Sequence, residues 1–123
     1  MAALVNLGAA ARWAAAGGRD IVVLCAGERG ARSLEDSVCA GLLVERIAAA
    51  APGGMPSAAA REALAESRPY ARDVARLAVD SPWARRLAAA GRGADVAACL
   101  RLDTTALVPV YLPGVDKIVA GRG

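Results

Sequence analysis

Two kinds of apolar run alternate along the first half of the chain. Leu7 to Ala16 is alanine-rich with helical patterning; Asn6 is placed to cap it and Gly17-Gly18 to close it. Asp20 to Cys25 (DIVVLC) is short, continuous and β-branched, the pattern of a buried strand, central in a parallel sheet. Ala26 to Arg32 (AGERGAR) reads as a glycine loop. Ser33 then starts a helix, with Asp36 three residues later in a capping-box-like pair. That helix runs to about Ala51 and stops at Pro52-Gly53-Gly54. Strand, loop and helix follow directly on one another, and open α/β sheets hold ligands at such places.

The second half is mostly helical. Ser57 caps one helix and Pro69 begins another. Ser81-Pro82 is an N-cap and first-turn pair for a helix reaching about Ala90, with Gly91 at its end. Asp95 to Leu102 forms a last short helix or turn. Ala106 to Leu112 (ALVPVYL) reads as a strand, and Pro109 inside it argues for an edge or a bulge. Pro113-Gly114 turns the chain, and Val115 to Val119 returns as the second arm of a hairpin. The expected class is α/β: a three-layer α/β/α-type sheet, here a partial domain with a C-terminal β-hairpin.

Composition thins this core. The 123 residues make one domain at most, phenylalanine is absent and aromatics are 3%. Trp13 and Trp83 are expected on core-facing helix sides. Cys25, Cys39 and Cys99 have no paired spacing, so they read as reduced, buried thiols of a cytoplasmic protein. The apolar run from Leu42 to Ala51 is broken by Glu45 and Arg46, which argues against a membrane span, and no signal-peptide pattern is evident. The net charge is +3, with every basic residue except Lys117 an arginine. These arginines are interleaved with acids, without a basic run or stacking platform, so nucleic acid is not the expected partner. Histidine is absent, which removes histidine phosphatases, His-dependent triads and most zinc sites.

Chemistry then rests on carboxylates, hydroxyls, thiols and arginine. Glu28, Glu35 and Asp36 sit beside the end of DIVVLC, and magnesium takes one or two carboxylates plus water and phosphate oxygens. Arg29 and Arg32 flank the same loop and suit anionic substrate groups. Ser33 can offer its hydroxyl and the following amides to a phosphate. Asp103, ahead of the last strand, is a further ligand or supporting carboxylate. A helix start explains Ser33, Glu35 and Asp36 equally well, and solvation explains Glu28. Two phosphatase signatures fail. Cys25 and Arg32 are one residue too far apart for a C-x5-R loop, and Asp103-Thr104-Thr105 lacks the paired aspartates of haloacid-dehalogenase-type enzymes.

The run CAGERGARSLEDSVCAG, Cys25 to Gly41, resembles the segment of the 2-phosphosulfolactate phosphatase family reading approximately CAG-x-x-G-x-x-x-LED-x-x-CAG. Asn6 with its helix, Arg86-Leu87, Gly91, Asp95 to Cys99, Asp103 and Val108-Pro109-Val110 resemble flanking parts of the same family. The likeness covers nearly all of this chain but about half of the family's usual length. It implies the C-terminal portion of a single phosphatase domain over residues 1–123, with the N-terminal half absent and the sheet shared with the missing strands. It also implies magnesium-dependent hydrolysis of 2-phospho-3-sulfolactate to 3-sulfolactate and phosphate, a step of coenzyme M synthesis in methanogens. In that reading Glu35, Asp36 and Glu28 are catalytic, Arg29, Arg32 and Ser33 bind substrate, and Glu35, Asp36 and Asp103 hold Mg2+. A non-catalytic interaction module and a phosphatase for another small anionic ester stay open, as does a homo-oligomer.

Overall fold

The structure, a computed structural model, describes residues 1–121. Among the described residues six α-helices precede a β-hairpin: α1 Leu7–Ala15, α2 Leu34–Ala50, α3 Ala58–Ser67, α4 Leu77–Asp80, α5 Pro82–Leu87, α6 Gly93–Cys99, then β1 Pro109–Leu112 and β2 Lys117–Ala120. Short 3-10 turns lie at Leu4–Asn6, Arg68–Tyr70 and Val74–Arg76.

Helix α2 is the central element, packed against α1 and α3. Its Val38, Leu42 and Leu43 are buried with Leu7 of α1 and Leu77 of α4. Gly41 lets α3 approach closely: a Cβ there would lie 2.1 Å from the Ala63 carbonyl oxygen. Ser57 caps α3 and Ser81 caps α5, as their positions predict. The helix from Pro82 ends where expected: Ala88 keeps helical dihedrals, Ala90 leaves them, and Gly91 takes φ +80° at a kink before α6 begins.

Asn6 does not cap α1 with its side chain. Its carboxamide is buried: Oδ1 accepts from the Ala3 amide at 2.8 Å, and Nδ2 donates to the carbonyls of Leu107 at 2.8 Å and Met1 at 3.3 Å. The cap of α1 arrives from Asp103, whose Oδ1 accepts from the Gly8 amide at 2.6 Å. Backbone bonds from Asp103 N to Leu4 O (3.1 Å) and Thr105 N to Val5 O (3.0 Å) lay this late segment along the first turn.

The hairpin forms as expected, with shorter arms. Its register pairs Pro109 with Ala120, Val110 with Val119, Tyr111 with Ile118 and Leu112 with Lys117. Pro109 opens an edge strand, where its missing N–H costs nothing. This is the only sheet among the described residues, so mixed helix and strand content is present but the three-layer arrangement is not seen among them.

The strand expected at Asp20–Cys25 is not formed: these residues have no regular secondary structure. A strand exists through its ladder, and no backbone hydrogen bond joins residues 20–26 to another described residue. Val22 and Leu24 are 89% and 91% exposed. Burying each such side chain is worth about 1.5–3 kcal/mol, which stays unrealised here. Trp13 is also exposed rather than in the core, because it borders the same uncovered side. Trp83 is half-buried. The expectation of buried thiols is corrected as well: Cys25 and Cys99 are exposed and Cys39 is half-buried, all three free.

Candidate functional site

The start of α2 forms the floor of a cleft of about 690 Å³, lined by Gly27, Glu28, Arg29, Ser33, Glu35, Asp36 and Cys39 on one side and by Trp83, Leu87, Arg92 and Asp95 on the other. Small-molecule sites have this size. Five of the seven expected site residues therefore meet: Glu28, Arg29, Ser33, Glu35 and Asp36.

Ser33 fixes the helix start, its Oγ accepting from the Asp36 amide at 3.3 Å. The same hydroxyl donates to Glu35 Oε2 at 2.9 Å, so it has no proton left for a ligand. Asp36 does not close the capping box. Its Oδ2 reaches back to the Gly27 amide at 2.7 Å and anchors the loop onto the helix. Gly27 has φ +70°, and a Cβ there would meet Ala31 O at 2.6 Å.

The loop beyond it is a tight two-residue turn. Glu28 and Ala31 exchange N–H···O bonds at 2.8 Å in both directions. Between them Arg29 and Gly30 both have positive φ, 49° and 79°, as a type I′ turn requires. Gly30 adopts this freely, whereas Arg29 bears a strain of about 1 kcal/mol. The turn presents Glu28 to Arg86 of α5, whose Nη2 lies 3.2 and 3.3 Å from the two carboxylate oxygens. The Arg86 guanidinium also lies 5.0 Å from the Trp83 ring centroid.

Glu35 is held from both sides. Besides the Ser33 bond, its Oε1 accepts from the Ser81 hydroxyl. Ser81 is fully buried, and its Oγ also accepts from the amides of Trp83 and Ala84, both at 3.1 Å. One hydroxyl thus caps α5 and fixes a cleft carboxylate carried by another helix. The amides of Leu34 and Glu35 have no partner among the described residues, leaving two donors at the positive end of α2.

Two expected residues lie elsewhere. Arg32 turns away from the cleft: Nε donates to Ser37 Oγ at 2.8 Å and Nη2 pairs with Glu66 on α3. Asp103 is not among the residues lining the cleft. It caps α1 and pairs with Arg46. Burial alone would raise its pKa, but the Gly8 amide and Arg46 outweigh that and hold it below the usual value. Conversely, Ser81 and Arg92 had no functional reading in the sequence, and Arg86 and Asp95 had only their family likeness. Ser81-Pro82 was legible as a cap, but nothing local announces a contact 46 residues away.

The thiols are poor nucleophiles. Burial, then the charge of Asp36, pushes Cys39 up to about 11. Desolvation and Asp36 also raise Cys25, against a smaller pull from Arg32. Both stay protonated at neutral pH, which agrees with the failed C-x5-R match.

For magnesium the donor chemistry fits in kind, since Glu28, Glu35 and Asp36 offer carboxylate oxygens to one cleft. Glu28 is occupied by Arg86, while Asp36 Oδ1 has no hydrogen-bond partner among the described residues. No group of three or more His, Cys, Asp or Glu side chains converges as a metal cage among the described residues. Glu35 and Asp36 are the pair that would hold the ion, with water and substrate oxygens completing its shell.

Fold and site together define a helix-rich α/β chain with a cleft at a helix start, lined by carboxylates and by Arg29 and Arg92. Comparison with known proteins makes this specific. Residues 1–113 match the model of the 2-phosphosulpholactate phosphatase family, and the chain belongs to that family. A relative from Gloeobacter violaceus, named "Probable 2-phosphosulfolactate phosphatase", is 37% identical over 109 residues, 88% of this chain and 44% of the relative. One of the same name from Pseudothermotoga lettingae is 29% identical over 92 residues, 75% of this chain and 39% of the relative. The chain spans about two-fifths of the length of these curated relatives.

Proposed function

We propose that this chain carries the C-terminal part of the active site of a magnesium-dependent phosphoric monoester hydrolase acting on 2-phospho-3-sulfolactate. The observation that carries the reading is the meeting of Glu35, Asp36 and Arg29 with the open amide of Glu35 at one cleft, in a member of this family. Hydrolysis forms a bond from water oxygen to phosphorus, breaks the ester P–O bond, and delivers a proton to the departing alkoxide. The developing charge on phosphoryl oxygens needs fixed positive partners. The Glu35 amide and Arg29 supply them, Arg29 from an exposed turn that leaves its side chain free to reach a sulfonate or carboxylate. Glu35, with its orientation fixed by two hydroxyls, orients the attacking water, and Asp36 keeps the Gly27 loop on the helix. Bound magnesium would supply charge neutralisation at the phosphoryl oxygens.

The cleft's second wall offers Arg92 and Asp95, paired at 2.9 Å, as a further anion and proton-handling edge. No helix among the described residues is long and apolar enough to cross a membrane, and we place the activity in the cytoplasm. The test is phosphate release from 2-phosphosulfolactate by a chain that includes the rest of the family's length, with and without magnesium. Glu35→Gln should lower kcat at least about 100-fold, the scale of a lost positioned proton-transfer group. Full activity in Glu35→Gln together with Asp36→Asn would refute these roles. A second reading, a non-catalytic interaction module, draws support from the bare Val22 and Leu24. A substrate panel that yields no magnesium-dependent hydrolysis would favour it.

A further inference from the structure

The turn at residues 28–31 carries an arginine where its backbone does not favour one. Arg29 holds φ +49°, and the first central position of a type I′ turn is ordinarily Asn, Asp or Gly. A turn closed by the single Glu28–Ala31 pair has little stability of its own. It is fixed from outside at two adjacent residues. On the α2 side, Asp36 Oδ2 accepts from the Gly27 amide at 2.7 Å. On the α5 side, Arg86 Nη2 donates to the two Glu28 oxygens at 3.2 and 3.3 Å. Arg86 is itself seated 5.0 Å from the Trp83 ring centroid, and α5 is tied to α2 through Ser81 and Glu35. Glu28 and Arg29 line the cleft, whereas Arg86 is not among its lining residues. Strain held in place by surrounding contacts at a cleft residue marks a side chain put there for use.

We propose that Arg86 is a positioning residue, and that through Glu28 it makes Arg29 the contact for the substrate's second anionic group, the sulfonate. It acts in two ways. It holds the turn so that Arg29 stays at the cleft. It also engages the Glu28 carboxylate, the nearest acid in sequence to Arg29. Left free, that carboxylate pairs with the Arg29 guanidinium and repels an incoming anion. Glu28 thereby serves recognition rather than proton transfer, because both of its oxygens are taken by Arg86. The ligand chemistry fits this division. A sulfonate stays charged at any ordinary pH and takes no part in breaking the ester, so its partner needs a permanent charge that does not titrate, which guanidinium supplies. The identity of the ligand rests on the phosphatase reading above; the link from Arg86 to the turn does not.

The test uses this chain. Isothermal titration reads binding of 2-phosphosulfolactate and of 2-phospholactate, which lacks the sulfonate, with calcium as the divalent cation. The parent should bind the sulfonated ester at least about 10-fold more tightly, the scale of one hydrogen bond to a charged group. Arg29→Gln and Arg86→Gln should each remove that preference and leave 2-phospholactate within about 3-fold. Glu28→Gln loses the clamp but also the competing carboxylate, and should weaken the sulfonated ester by no more than about 3-fold, as for an exposed ion pair. Glu28→Gln combined with Arg86→Gln should return to that milder level, a rescue that loss of structure alone does not give. Amide hydrogen exchange at Glu28 and Ala31 should quicken about 10-fold in Arg86→Gln. Arg85→Gln removes the same charge from the same helix, at a guanidinium that donates to Val79 O, and should change neither ligand's affinity. A parent without the preference, an Arg86→Gln variant that keeps it, or a double variant no better than Arg86→Gln overturns the proposal. Binding as expected with no phosphate release under magnesium refutes the phosphatase reading alone. Phosphate release with the preference intact in Arg86→Gln refutes this proposal alone.

Discussion

Replacing Ser81 by alanine removes three hydrogen bonds made by one buried oxygen. Two are the amides of Trp83 and Ala84 at the start of α5, and the third is the Glu35 carboxylate. Losing an N-cap of this kind costs about 1 kcal/mol. Losing a hydrogen bond to a charged group adds about 1.5 kcal/mol, at the lower end of its range because Glu35 keeps the Ser33 hydroxyl. The substitution should therefore destabilise the chain by about 2.5 kcal/mol in urea unfolding followed by circular dichroism. A double-mutant cycle with Glu35→Ala separates the two parts. The cap loss is additive, whereas the Ser81–Glu35 link appears as a coupling of about 1.5 kcal/mol. A coupling below about 0.3 kcal/mol, the usual additivity error, would refute the claim that Ser81 holds Glu35.

The close approach of α2 and α3 predicts that Gly41→Ala destabilises, although alanine favours a helix by about 1 kcal/mol over glycine. The new methyl would lie 2.1 Å from Ala63 O and 2.6 Å from Ser67 Oγ; parting the helices should leave a net loss of about 1–2 kcal/mol in thermal unfolding, and an unchanged or raised Tm would contradict it. Asp103→Asn should cost roughly 1 kcal/mol at pH 7, a figure kept small because its ion pair with Arg46 is partly exposed. Since the carboxyl is depressed in the folded state, its contribution is complete above the unfolded value near 3.8 and fades as pH falls through the folded one. The stability gap between parent and variant should therefore hold from pH 7 to 5 and narrow below 3.8; a gap constant down to pH 3 would exclude this role.

Helix starts were legible because capping is local. Ser33, Ser57 and Ser81 each bond amides two or three residues ahead, so sequence spacing alone carries the information. The C-terminal hairpin was legible for the same reason, its turn and both arms lying within a dozen residues. Residues 20–25 misled because a strand is defined by a neighbour, and β-branched composition cannot supply one. Asn6 misled in another way. A good cap residue was recruited by Leu107, and α1 took its cap from Asp103 instead. Within the cleft, Glu28, Glu35 and Asp36 were found because the loop and helix are contiguous. Arg32 was lost because Ser37 and Glu66 compete for its guanidinium, and Glu66 sits 34 residues on. The bonds from Ser81 to Glu35 and from Arg86 to Glu28 were invisible because these partners arrive from a different helix.

The capping of α1 by Asp103 sets an order of events in synthesis. Helix α1 emerges well before its cap, short and without a side-chain cap of its own, and isolated helices of this length are marginal in water. Its anchor is translated 95 residues later, together with the backbone bonds from Asp103 and Thr105 to Leu4 and Val5. Helix α1 is thus secured by a residue made long after it. A ribosome-bound chain stopped before Asp103 should expose α1 to proteases, and one extended past Thr105 should protect it.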